Sequence, residues 1–170
     1  MKDLIHLKCE SSLAAKCANQ IADAVEKDQW VQLLPPIGKT AVVPNHLLPT
    51  EPGVIITSGG SCSGPHQCLQ PYSHLDQSAI ATGQWLQEHG LGQKDALILN
   101  PLPLHHVSGL MLWWRSQVWG SKHIWLLPKL MRDPNALEKS CQNLSHNKIG
   151  PLLISLVPTQ IQRLIQHPAG

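Results

Sequence analysis

The sequence predicts an α/β fold built on a mainly parallel sheet with helices on both faces. Three observations carry that expectation. Short apolar runs such as Val54-Ile55-Ile56, Ala96-Leu97-Ile98-Leu99 and Leu152-Leu153-Ile154-Ser155-Leu156 lack the in/out alternation of a half-solvated strand. Between them lie segments whose apolar residues recur at helical spacing. From Val54 onward the two kinds of segment alternate, as they do when strands are joined by crossover helices.

Taken in order, Ser11 or Ser12 is placed to cap a helix with Leu13, Cys17, Ile21 and Ala24–Val25 on one face, ending near Lys27–Asp28. Pro35, Pro36, Pro44, Pro49 and Pro52 then make residues 33–52 a connection with short extended pieces. The Val54–Ile56 strand runs at once into Ser58-Gly59-Gly60-Ser61-Cys62-Ser63-Gly64-Pro65. Ser73 is placed to cap a helix through about Glu88, with Leu75, Ala79 and Trp85–Leu86 inward and Gly90 as its stop. A strand at Ala96–Leu99, a helix from Val107 to Trp119 ended by Gly120, and a strand at His123–Leu127 follow. Asp133-Pro134 signals a helix to about Asn143. Leu152–Leu156 is a last strand, and Pro158 opens a helix carrying Ile161, Leu164 and Ile165. Residues 1–53 are thus expected as a helix plus a proline-rich connection, and residues 54–170 as one alternating region. No closing element follows the last helix, so the architecture is expected to be incomplete.

Composition narrows the function classes. A chain of 170 residues with 42% hydrophobic content can bury a core. Its charged content of 14% falls below the roughly 25% usual for a soluble domain, which suggests that part of the surface is covered by more protein. A net charge of +2, with Lys and Arg scattered, argues against a nucleic-acid partner. Asp3 and His6 interrupt any signal-peptide core, and the most apolar stretch, Val107 to Trp119, is too short to span a bilayer. Five cysteines without a C-x-x-C pair read as reduced thiols in a cytoplasmic protein.

The chemistry-bearing segment is the loop after the first strand of the alternating region. Glycines let backbone N–H groups converge on an anion, and serine hydroxyls add donors without crowding it. An ordinary polar turn fits the composition equally well, since neither G-x-G-x-x-G nor a Walker lysine is present. Gly38-Lys39-Thr40 is a chance match to a Walker ending, because Leu33 stands where its first glycine would be.

Three segments, in order, carry a resemblance. Ser58-Gly-Gly-Ser-Cys-Ser-Gly-Pro-His66 resembles the phosphate loop T-S-G-[ST]-[ST]-G-x-P-K of the adenylate-forming, AMP-binding acyl-CoA synthetase superfamily. Pro103-Leu104-His105-His106-Val107-Ser108-Gly109-Leu110 is similar to that superfamily's P-L-F-H-x-x-G segment, and Val157-Pro158-Thr159 with Leu164 to its V-P-T-x-x-x-x-L helix start. The H-V-S-G-L and V-P-T-x-x-Q-R-L strings are most like the o-succinylbenzoate–CoA ligases of menaquinone and phylloquinone biosynthesis. The resemblance covers roughly residues 54–166.

What this resemblance implies is an incomplete, amino-terminal part of a large AMP-binding domain. The implied reaction is AMP-forming: a carboxylate attacks the α-phosphorus of Mg-ATP, and coenzyme A thiol then displaces AMP. ATP, Mg2+ and CoA are the implied cofactors and co-substrates. By the same resemblance Ser58, Gly59, Gly60, Ser61, Cys62, Ser63 and His66 would hold the phosphates. His106 would orient or help neutralise the reacting carboxylate, His105 would pack, and Ser108 and Gly109 would border the acyl group where small residues leave room. His66 replaces the superfamily lysine, and Ser63 replaces its last loop glycine. The adenine-binding Y-G-x-T-E segment, the ribose-holding aspartate and the lysine-bearing carboxy-terminal domain are absent, so the missing part of the same enzyme is an implied partner and this chain alone is expected to be inactive. Oligomeric state is left open, a homo-oligomer included.

Two rival readings remain. One is a binding module that keeps the anion loop without ligation. The other is a small zinc-stabilised domain using Cys62, His66, Cys68 and His74, but C-x3-H-x-C-x5-H is not a recurrent zinc spacing, and no metal ligand is assigned. Trp113, Trp114 and Trp119 read as core residues rather than an exposed platform.

Overall fold

The computed structural model describes residues 3–38, 40–59, 65–145 and 150–166. Twelve regular elements lie among them. They are β1 (Leu4–Lys8), α1 (Ala14–Glu26), β2 (Trp30–Leu34), β3 (Gly53–Ser58), β4 (His66–Pro71) and α2 (Tyr72–Glu88), followed by β5 (Leu97–Asn100), α3 (Val107–Trp119), β6 (Lys122–Trp125), α4 (Pro134–Ser145), β7 (Leu152–Ile154) and α5 (Pro158–Gln166).

The expected α/β architecture is present, with its strands divided over two sheets. The first has the order β1-β2-β3-β4, with β1, β2 and β3 parallel and β4 antiparallel to β3. The second has the order β6-β5-β7 and is parallel throughout. Three of these strands escape the sequence reading. β1 and β2 lie in the region expected as helix plus connection, and their parallel pairing brings that region into the same sheet as β3. β4 occupies the stretch between the loop and the Ser73 helix, to which the sequence reading assigns no element; it pairs with β3 from Ser58↔His66 to Gly53↔Pro71. Leu4–Lys8 contains His6 and Lys8, and His66–Pro71 contains two glutamines, so neither looks like a buried apolar strand. Both are end strands of the sheet, where polar side chains are tolerated.

α3 is the layer common to both sheets. Leu110, Met111, Trp113 and Trp114 join Val31, Leu33, Val54 and Ile56 of the first sheet in one hydrophobic cluster, together with α1 and α2. Leu112 and Trp119 pack instead with Ile98 and Leu153 of the second sheet. A helix buried on both sides must be apolar around most of its circumference, and the six consecutive residues Gly109 to Trp114 are all buried, as is Ser116 beyond the half-buried Arg115. Gly120 ends it in the left-handed conformation at φ 64°. The other face of the second sheet is covered by α4 and the turn before it, through Met131, Leu137 and Cys141 against Leu97 and Leu99.

The far face of the first sheet is covered by the proline-rich segment rather than by a helix. Val43 and Leu48 pack there on Trp30 and Ile55. Prolines deny this segment a regular ladder, so side chains hold it. Fully buried Gln32 donates from Nε2 to the Ala41 carbonyl at 2.7 Å and accepts from the Val43 N–H at 3.3 Å. The Trp30 indole donates to the Pro49 carbonyl at 3.2 Å.

Helix starts depart in detail from the sequence expectation. Ser11–Leu13 is a 3-10 turn leading into α1, and α2 begins at Tyr72 behind Pro71, one residue ahead of Ser73, with no side-chain cap. The Asp133 cap is as expected, with Oδ1 accepting from the Ala136 N–H at 3.0 Å.

Because Leu110 sits with no exposure between the sheets, Leu110→Ala is expected to lower the unfolding free energy by about 2–5 kcal/mol. Ile165→Ser, at a 69% exposed position, is expected to change it by less than about 0.5 kcal/mol. Urea unfolding of both variants checks the pair.

Candidate functional site

The β3–β4 hairpin and the first turn of α3 hold the residues singled out by the sequence. Ser58 is the last residue of β3 and His66 the first of β4, directly paired across the ladder. The Ser58 hydroxyl donates to the His66 carbonyl at 3.3 Å, closing the base of the hairpin tip. One step inward the Thr57 hydroxyl donates to Gln67 Oε1 at 3.3 Å, and Gln67 Nε2 donates to Ala41 O at 3.2 Å. Gly59 is exposed, and a Cβ there would meet no described residue within 4 Å. Gly60, Ser61, Cys62 and Ser63 lie outside the described residues. His66 and Cys68 stand two residues apart on β4, and His74 is exposed on α2. Among the described residues no group of three or more His, Cys, Asp or Glu is placed to hold a metal ion.

His106 is the residue before α3, with extended φ −104° and ψ 148°. Its N–H donates to Pro103 O at 3.1 Å, and its carbonyl accepts from the Leu110 N–H at 2.9 Å, so the backbone fixes its place while the exposed ring caps nothing. The His105 ring lies 4.2 Å from it, centroid to centroid, at 43°. His105 is half-buried, and its enclosed Nδ1 has no hydrogen-bond partner among the described residues. Burial, with the neighbouring His106 ring adding, pushes the His105 imidazole down to about 4. His105 therefore packs as a neutral ring, as the sequence reading has it.

Ser108 is half-buried and Gly109 buried in the same turn. A Cβ on Gly109 would stand 2.2 Å from Pro103 O and 2.8 Å from Leu102 O. The space on that side of Gly109 is filled by backbone; glycine is required there by the close approach of α3 to residues 102–103.

Asn100 and His123, which no sequence motif marks, lie beneath this turn. Fully buried Asn100 ends β5. The Leu102 N–H donates to its Oδ1 at 3.1 Å, and its Nδ2 donates to Gly109 O at 2.9 Å. A backbone N–H only donates and a carbonyl only accepts, which settles the amide orientation. The second Nδ2 hydrogen then faces His123 Nε2 at 3.2 Å, so that nitrogen carries a lone pair and the ring is neutral. Burial pushes His123 down to about 4, in agreement. The Trp125 ring packs edge-on to His123 at 4.5 Å. One amide thus ties β5, β6 and the start of α3 together. A buried asparagine at a strand end in a polar-poor run is the only sequence signal that points to it.

No protein-family model matches the sequence, and no curated protein matches it at a significant level. Solved structures do match in fold. o-Succinylbenzoate CoA synthetase from Bacillus subtilis, in complex with the acyl-adenylate intermediate, superposes with a TM-score of 0.68 at 13% identity, over 98% of this chain and 52% of that one. A malonyl-CoA ligase with methylmalonyl-CoA and AMP bound gives 0.60 at 14% identity, over 94% and 40%. The chain has the fold of part of an adenylate-forming acyl-CoA ligase. The N-terminal domain of FACL13 from Mycobacterium tuberculosis, inhibitor-bound, adds a TM-score of 0.52 at 15% identity, over 98% and 52%. The chain spans about half the length of the o-succinylbenzoate CoA synthetase it resembles. At these identities the likeness concerns the path of the backbone. Within that ligase fold, the two segments singled out above fall at the end of β3 and the start of α3.

The neutral histidines give a pH signature. Between the ordinary histidine value of 6.5 and about 4, the unfolded chain takes up protons that folded His105 and His123 refuse. Stability is therefore full above pH 6.5 and falls as pH drops through that window. Thermal melts from pH 7.5 to 4.5 are expected to show a falling Tm, and His123→Gln is expected to flatten the fall.

Proposed function

We propose that this chain is the amino-terminal part of the AMP-binding domain of an AMP-forming acid–thiol ligase, with o-succinylbenzoate as the acid. The observation that carries the reading is a ligase fold over 98% of the chain, with the glycine-serine segment at a strand end within it. The second reading, an anion-binding module without ligation, keeps the same loop and differs only in lacking the rest of the enzyme.

In this reading Ser58, Gly59, Gly60, Ser61, Cys62, Ser63 and His66 hold the phosphates of ATP. Aligned donors are what the developing charge of phosphoryl chemistry requires. The Ser58–His66 pairing gives the tip a fixed base. Magnesium arrives with the nucleotide and is assigned no ligand in this chain. His106, exposed beside the α3 start, orients the substrate carboxylate, and Ser108 borders the acyl group, while buried Gly109 lets α3 approach residues 102–103. CoA thiol completes the reaction in the second step. Cys9, Cys17, Cys68 and Cys141 are free thiols, in accord with a cytoplasmic ligase.

The adenine-binding segment and the carboxy-terminal domain would have to come from the remainder of such an enzyme. β7 ends the second sheet with Leu152 and Ile154 exposed, and α5 presents Ile161 and Ile165 to solvent. That apolar edge is where the remainder would pack.

In a complete ligase containing this segment, His106→Ala is expected to slow adenylate formation about 100-fold, with nucleotide binding far less affected. Pyrophosphate exchange and ATP titration separate the two effects; intact exchange would remove His106 from the site. His66→Lys is expected to tighten ATP binding or leave it unchanged, and a large loss of affinity would assign His66 a different role.

A further inference from the structure

A second site lies away from the hairpin and the α3 start. α1 and α3 both pack on the first sheet, and between them they leave a cleft of about 340 Å³. That volume is at the small end of the range for small-molecule sites. Its walls are apolar: Ala22 and Val25 of α1 face Trp113, Trp114 and Val118 of α3.

The indole wall is held in place before any ligand arrives. Trp114 stacks on Tyr72 at 5.5 Å and 16°, and Trp113 meets it edge-on at 5.7 Å. The Tyr72 hydroxyl donates to Gln29 O at 2.6 Å. The Trp114 N–H donates to Asp76 Oδ1 at 2.8 Å, so what Trp114 has left to offer a ligand is apolar ring surface. A preorganised wall loses little freedom on binding.

The polar part of the cleft has one sign. Glu26 and Asp76 line it, and among the described residues no Lys, Arg or His does. Gln117 and Val118 belong to the last turn of α3, where the helix dipole also favours a cation. The two carboxylates attract an ammonium group and repel a carboxylate or phosphate, while the mostly buried Trp113 and Trp114 offer the cleft only apolar rim surface. The chemistry is therefore opposite to that of the anion loop. Trp113 is seven residues along α3 from His106 and Val118 twelve, so the cleft begins about 10 Å from that residue along the helix axis.

We infer that the α1–α3 cleft binds a small amphiphilic amine, its aryl or alkyl body between Val25, Trp113 and Val118 and its ammonium at Asp76 and Glu26. The inference does not depend on ligase activity. It is tested on the purified protein with 3-phenylpropylamine, 3-phenyl-1-propanol and 3-phenylpropionate, by calorimetry and by the indole N–H resonances of Trp113 and Trp114. The amine is expected to bind at least tenfold more tightly than the alcohol, the acid not at all, and to shift both indole resonances. Asp76→Asn keeps an oxygen acceptor for Trp114 while removing charge; combined with Glu26→Gln it is expected to erase the preference for amine over alcohol. Glu26→Gln alone, at an exposed position, is expected to weaken the amine several-fold and serves if the double variant misfolds. Equal affinity for amine and alcohol, no amine binding, or amine affinity unchanged in the charge-neutral variants would overturn the site.

Discussion

The burial of α3 between two sheets is the constraint on which the rest of the molecule depends. Its one side completes the core under β1, β2 and β3, and its other side covers β5 and β7. Such a helix has almost no polar face, which explains its run of Leu, Met and Trp residues and the few groups available to position its ends. Those ends are therefore fixed by backbone and by buried amides. Gly109 admits the chain at Pro103 to within contact of the helix, and Asn100 ties its first turn to β5 and β6. The same turn carries His106, so the position of a surface ring is set by groups that never reach the surface.

A buried amide plays a parallel part on the opposite side of the first sheet. Gln32 gives the proline-rich segment the two hydrogen bonds that its prolines prevent it from making in a ladder. Each amide satisfies all the groups it faces, and a buried polar side chain is tolerable only on that condition. Neither residue carries reactive chemistry. Their contribution is to specify where a loop and a helix start.

Much of this was legible in the residues. The Val107–Trp119 helix, its Gly120 stop, the Asp133 cap and the apolar strands β3, β5 and β7 follow from period and punctuation. The three missed strands have a common physical cause. β1 and β4 are end strands with polar residues, and β2 is a five-residue strand carrying a glutamine whose burial is compensated by a segment distant in sequence. Local pattern cannot report a partner that lies many residues away. The candidate site divides in the same way. The glycine-serine loop and the histidine pair are visible as motifs, whereas Asn100 and His123 acquire meaning only when the fold brings β5, β6 and α3 together. The reason for Gly109 also changed, from room for a substrate to close approach of backbone.

The central claim is that the β3–β4 tip receives nucleotide phosphates within a ligase fold. Hydrogen exchange on the longest available chain containing this sequence, with and without Mg-ATP, tests it most directly. The account predicts slowed exchange confined chiefly to residues 58–66, the segment proposed to hold the anion. Unchanged exchange there, or protection appearing only elsewhere, would contradict it.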